Sequence, residues 1–196
     1  MPLKEIDKLK KMSFKKQLAF AYLSCERVYP NYLFFSINYN FGDVGTLKAA
    51  IDFLYENIFN DAIDNKRIEF YLKVADVNAP RPDNFDTFYA TIAMYSAGVI
   101  YESINLLRRT DVSRILTDIS TMCTDAVDLF IQERDDMDYD EEDFEIKILN
   151  DSLMQTELSI QKGIILYLQK VDQLNEFDIT TLLQLQKEGT GTLIIK

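Results

Sequence analysis

The sequence predicts an all-α protein: one compact multi-helix domain over residues 1–196, with about seven to nine helices. Three observations support this. Apolar residues recur at intervals of three and four along most of the chain, the repeat of one helix face. The 196 residues include only six Gly and four Pro, too few breakers for many short strands and turns. Strand-like alternation is absent almost everywhere, and residues 192–195 alone could extend as a strand.

Each element follows from its own signals. Ser13 is placed to cap a first helix. Its inner face is Phe14, Leu18, Ala21, Tyr22, Cys25 and Tyr29. Pro30 is expected to end or redirect that helix and to open a new one over 31–41. The new one is apolar nearly all round, as in the middle of a bundle. Gly42 stops it and Asp43 caps the next. There Val44, Leu47, Ile51, Leu54 and Ile58 form an amphipathic stripe to about residue 60. A weaker helix spans about 64–77, with Ile68, Leu72 and Ala75 inward. The prolines at 80 and 82 make 78–84 a loop. Asp86 is then a cap, with Phe85 as a hydrophobic staple, for a long helix carrying Ile92, Tyr95, Val99 and Leu106. Asp111 caps another, with Ile115, Ile119, Met122, Ala126 and Phe130 inward. A short helix over about 141–149 follows. Asp151 or Ser152 caps a helix with Leu153, Leu158, Ile164, Ile165 and Leu168. Asp178 caps a last one over 179–188, which Gly189 closes.

Composition excludes several chemistries. There is no histidine. The commonest general base, the commonest metal ligand and the nucleophile–imidazole pairs are therefore missing. Cys25 and Cys123 are too few for a disulfide scaffold, and each falls within a helical apolar pattern, so buried reduced thiols are expected. No secretory leader and no apolar run long enough to span a bilayer are present, so a cytoplasmic location is expected. A pI near 4.5 argues against nucleic-acid binding.

The net charge of −11 is local. Residues 133–145 (ERDDMDYDEEDFE) hold nine carboxylates and one arginine, a net of −8, which leaves −3 for the other 183 residues. Against a calcium-loop template, Asp136, Asp138 and Asp140 fit positions one, three and five. Position six is then Glu141 instead of glycine, and position twelve is Lys147 instead of glutamate. Starting at Asp138 fails at the same two places. The segment is expected to be a solvated, self-repelling connector, with neither metal nor cofactor assigned to it.

The better candidate group is Glu26, Arg27, Asn31, Tyr32 and Asp43, around Pro30 and the next helix start. These side chains could hold a small polar ligand, or form a structural ion pair with hydrogen bonds that fixes the bend. The aromatics Tyr29, Tyr32, Phe34, Phe35, Tyr39 and Phe41 are read as core. Asp111, Asp118, Asp125 and Asp128 are read as a solvated helix face. Gly189-Thr190-Gly191-Thr192 lacks the lysine of a phosphate loop.

The run Cys25-Glu26-Arg27-Val28-Tyr29-Pro30-Asn31-Tyr32, followed by Phe41-Gly42-Asp43, resembles a bacterial family, domain-of-unknown-function family 416. The proline loop into Phe85-Asp86, the Leu153-Met154-Gln155-x-Glu157-Leu158 segment and the late Glu188-Gly189 support the match. The resemblance runs from near residue 14 to near residue 194. It implies a compact all-helical cytoplasmic protein and adds no chemistry to the reading of the residues. The chain departs from the family's Ser-Asn-Ile-Gly-like turn, reading Gly189-Thr190-Gly191-Thr192 there.

With no catalytic set in view, the expected function is a noncatalytic protein-interaction or regulatory module. It would contact another protein or a second copy of itself, with Leu193-Ile194-Ile195 as a candidate contact. The alternative is a small-molecule-binding protein, or an enzyme working through carboxylate, Arg and Tyr groups near Glu26 and Arg27.

Overall fold

The computed structural model describes residues 3–60 and 62–188. Nine α-helices and no strand occur among them: α1 (Ile6–Leu9), α2 (Phe14–Tyr39), α3 (Val44–Phe59), α4 (Asn65–Val77), α5 (Tyr89–Asn105), α6 (Val112–Arg134), α7 (Phe144–Asn150), α8 (Ser152–Lys170) and α9 (Glu176–Glu188). None of them is long and apolar enough to cross a membrane.

Several starts sit where a side chain can take up a free backbone N–H. Asp43 accepts from Thr46 N at 3.0 Å. Asp64 accepts from Lys66 N at 2.9 Å. Asp151 accepts from Leu153 N at 2.8 Å. Ser13 stands at the start of α2 with an extended backbone but makes no capping bond. Instead the Gln17 side chain, one turn in, donates to carbonyls of Leu9, Lys10 and Met12 at 3.1–3.3 Å. This ties α2 to the short α1, which the periodicity did not show.

The largest departure from the sequence reading is at Pro30. No second helix opens there: α2 is continuous for 26 residues, with Pro30 inside it. Proline in a helix interior costs about 3 kcal/mol. Leu18, Phe20, Leu23, Tyr32 and Phe35 are fully buried from the same helix. Each is worth about 1.5–3 kcal/mol on burial, so packing outweighs the proline. Pro30 is also exposed, on the side where water can serve the unpaired carbonyl. Residues 31–39 are accordingly not buried all round; Ile37 is 70% exposed.

Three caps differ. Asp86 does not cap α5, which starts at Tyr89 after a 3-10 turn at Pro82–Asn84. Phe85 packs edge-on against Phe35 and Phe41, with centroids 5.0 and 5.5 Å apart. Asp111 precedes α6 in a left-handed conformation with no capping bond, and Arg114 holds its carboxylate at 3.0 Å. At α9 the cap is Asn175, whose side chain accepts from Phe177 N and Asp178 N at 2.9 and 3.2 Å. Asp178 reciprocates by accepting from Asn175 N at 3.0 Å, completing a capping box. Gly189, Thr190, Gly191 and residues 192–195 lie outside the described residues.

Helix α5 is central, packed against α2, α3, α4 and α6. Helix α8 lies on α6, and α9 on α2. One large core joins these helices. A smaller apolar cluster, Ile92, Ala126, Val127, Ile131, Ile148 and Met154, lies under α7.

Candidate functional site

Helical geometry separates the five candidate residues. Residues 26 and 27 point about 100° apart, and residues four apart share a face. Glu26 turns toward α3 and meets Lys48 Nζ at 2.5 Å, which also pairs with Asp52 at 3.0 Å. Tyr32 turns toward the end of α4, where its hydroxyl donates to Asn78 Oδ1 at 3.2 Å. The backbone N–H of Asp43 donates to the same oxygen at 2.6 Å. Asn78 is anchored in turn by its own Nδ2 on Val74 O at 2.8 Å. Gly42 turns the chain here with φ +74°, and a Cβ on it would lie 2.0 Å from the Tyr32 oxygen. The α2–α3 turn, Tyr32 and Asn78 thus form one buried latch. The Asp43 carboxylate stays exposed at its cap.

Arg27 faces another way, into the junction of α2, α6 and α8, and Asn31, four residues on, shares its side of the helix. Arg27 Nη1 donates to Glu157 Oε2 at 2.6 Å. Glu157 Oε1 accepts from Gln161 Nε2 at 2.6 Å, and Gln161 Oε1 accepts from Ser120 Oγ at 2.6 Å. Arg27 is 4% exposed and Glu157 6%. Burial works against the Arg27 charge, but Glu157 outweighs it, and the guanidinium pKa stands above its ordinary value. Nε and Nη2 of Arg27, Oδ1 of Asn31 and Oγ of Ser24 are buried without a hydrogen bond among the described residues. Glu157, Gln161 and Asn78 were not among the sequence candidates. Glu157 lies 130 residues from Arg27, and no local pattern links them.

Both thiols are buried. Burial pushes Cys25 far above the ordinary thiol range. It pushes Cys123 up to about 12, with the neighbouring Arg27 offsetting only part of the effect. Neither is an activated nucleophile, since it is the thiolate that reacts.

The acidic segment is held at its ends. Arg134 donates to Asp135 and Asp151 at 2.5 and 2.7 Å. Lys147 pairs with Glu141 and, at 3.1 Å, with Asp143. No group of three or more His, Cys, Asp or Glu among the described residues is arranged to hold a metal ion. Asp118, Asp125 and Asp128 of α6 are half-buried, less open than a solvated face. Beyond the segment, α6, α7 and α8 enclose a groove of about 180 Å³. Its floor includes Ile148, Met154 and Leu158, and Asp128 and Glu145 stand beside them.

The sequence profile of the family described as "Protein of unknown function (DUF416)" matches residues 4–192. The chain belongs to this family. A crystal structure of a DUF416 family protein from Shewanella baltica OS155 is similar with a TM-score of 0.82 at 21% identity, over 93% of both chains. At that identity the likeness is one of fold. No curated protein matches the chain. In this DUF416 chain, the two stretches 25–32 and 153–158 supply the two ends of the Arg27–Glu157 pair.

Proposed function

We propose that this DUF416 chain is a noncatalytic interaction module, and that its contact surface is the groove between α6, α7 and α8. The observation that carries the reading is the exposure of Ile146 and Leu149, 59% and 41%, beside the apolar floor of that groove. Exposed apolar side chains gathered at a concave surface mark interaction sites. The occupant is a segment of a partner protein, amphipathic and basic. Apolar side chains spaced along a helix fit the floor. Lysines and arginines beside them complement Asp128, Glu145 and the net −8 of residues 133–145. A second copy of this acidic chain, docked two-fold here, would set acid against acid. A cytoplasmic setting belongs to the same proposal, supported by the two free cysteines. A ligand bound by Glu26, Arg27, Asn31, Tyr32 and Asp43 together is less well supported, because these residues face three separate environments.

The test is fluorescence anisotropy with a labelled helical peptide of leucines at i, i+3, i+4 and i+7 and lysines elsewhere. The basic peptide is expected to bind. The same peptide with glutamates for lysines should fail, and Ile146→Ser/Leu149→Ser should weaken binding more than tenfold, against an unchanged Phe70→Ser control. Equal binding of the two peptides, or an indifferent double variant, removes the reading. Sedimentation showing a dimer broken by the same double variant would assign the groove to a second copy instead.

A further inference from the structure

A second concavity lies on another side of the molecule, where α4, α5 and α6 meet. Its volume is about 390 Å³, within the range of small-molecule sites. The floor exists because the helix residues there are small. Ala97 and Gly98 of α5 keep the backbone low, and Met122 of α6 lies across Gly98. A Cβ at position 98 would come within 2.8 Å of the Met122 sulfur, so a side chain there would compete with Met122 for the same space. Tyr101 adds a ring to the wall. Methionine beside an aromatic ring makes an apolar wall that adapts in shape.

The charged groups lining this cleft are all of one sign: Asp76, Glu102 and Asp118, with no lysine or arginine among the lining residues. Arg114 reaches Glu102 and Asp118 from outside the lining and is shared with Asp111. One guanidinium spread over three carboxylates leaves the cleft negative. The Asp76 carboxylate has no ion pair with any described residue and stands exposed at the mouth. An apolar floor with unbalanced carboxylates at the rim selects a ligand with an apolar body and a positive head.

We infer that the α4–α5–α6 cleft binds a small organic cation, an amine, guanidine or quaternary ammonium carried on an apolar or aromatic body. The body lies over Gly98 against Met122 and Tyr101, and the cationic head meets Asp76. This is independent of the groove at α7.

The probe is 4-phenylbutylamine, with 4-phenylbutanoate as its anionic match, measured by titration calorimetry. The amine is expected to saturate the protein below millimolar concentration, and the anion to bind at least about tenfold more weakly. Asp76→Asn should weaken the amine about tenfold, the size of one charge-assisted contact. Gly98→Leu should abolish binding by filling the floor. Methyl NMR of Met122 keeps the test open if Gly98→Leu misfolds, because the amine must shift that resonance in the unaltered protein. Equal binding of amine and anion, a still Met122 methyl, or an Asp76→Asn variant that binds as before would each overturn the inference.

Discussion

The acidic segment 133–145 and the Arg27–Glu157 junction hold charge in opposite circumstances. The first has ten charged residues, in water and at the surface. The second has two, nearly sealed from solvent. Charge density alone would put the energetic centre at the acidic segment. Desolvation moves it to the junction: exposed pairs are worth about 0–1 kcal/mol, whereas losing one partner of a buried pair costs about 3–5 kcal/mol. Ion pairs such as Arg134–Asp135 and Lys147–Asp143 restrain the segment without defining the fold. Arg27–Glu157 joins α2 to α8 and, through Gln161, to Ser120 of α6.

The strongest challenge to that contrast is Glu157→Ala. We expect a loss of about 3–5 kcal/mol in urea unfolding, since Arg27 would be left buried and unpaired. The double variant Arg27→Met/Glu157→Met should recover most of it. A single variant losing under 1 kcal/mol would mean that the junction is hydrated and behaves like the surface. Thiol chemistry reads the same dryness. At pH 8, labelling of Cys123 in the native protein should be roughly a thousandfold slower than that of a free thiol, given the pKa raised to about 12. Rapid native labelling would contradict the sealed interior.

Gly42→Ala tests the other latch. The positive φ and the 2.0 Å approach to the Tyr32 oxygen predict a loss of about 2 kcal/mol in chemical denaturation. Adding Tyr32→Phe should make the combined loss smaller than the sum. The least effect belongs to the acidic segment. Asp136, Asp138 and Asp140 changed together to Asn should leave stability within about 0.5 kcal/mol, because all three are exposed. A loss above 1 kcal/mol would show that the segment carries structure of its own.

Much of the fold was legible where the cause is local. Asp43 and Asp151 cap helices through bonds spanning three and two residues, and a short sequence window contains both partners. The 3.6 repeat placed α3, α4, α6 and α8 for the same reason. Pro30 was misread because its local penalty is real but smaller than the packing of the whole of α2, which no window around residue 30 reveals. Asp178 was recognised as a capping residue, one role removed: it completes the box that Asn175 opens. The five candidate residues read as a ligand site or as a Glu26–Arg27 ion pair fixing the bend, and Arg27 forms its ion pair elsewhere. Its neighbour Glu26 pairs with Lys48 instead, and its true partner lay 130 residues away.

The sequence by itself determined the helical class, most helix starts, the lack of imidazole chemistry and the local origin of the net charge. All of these follow from residue type and near-neighbour spacing. Tertiary structure decided that α2 runs through Pro30, that Arg27 meets Glu157, and that α6 with α7 and α8, and α5 with α4 and α6, leave concave surfaces between them. Burial and desolvation depend on which distant segments close around a residue, and that arrangement exists only once the helices have packed.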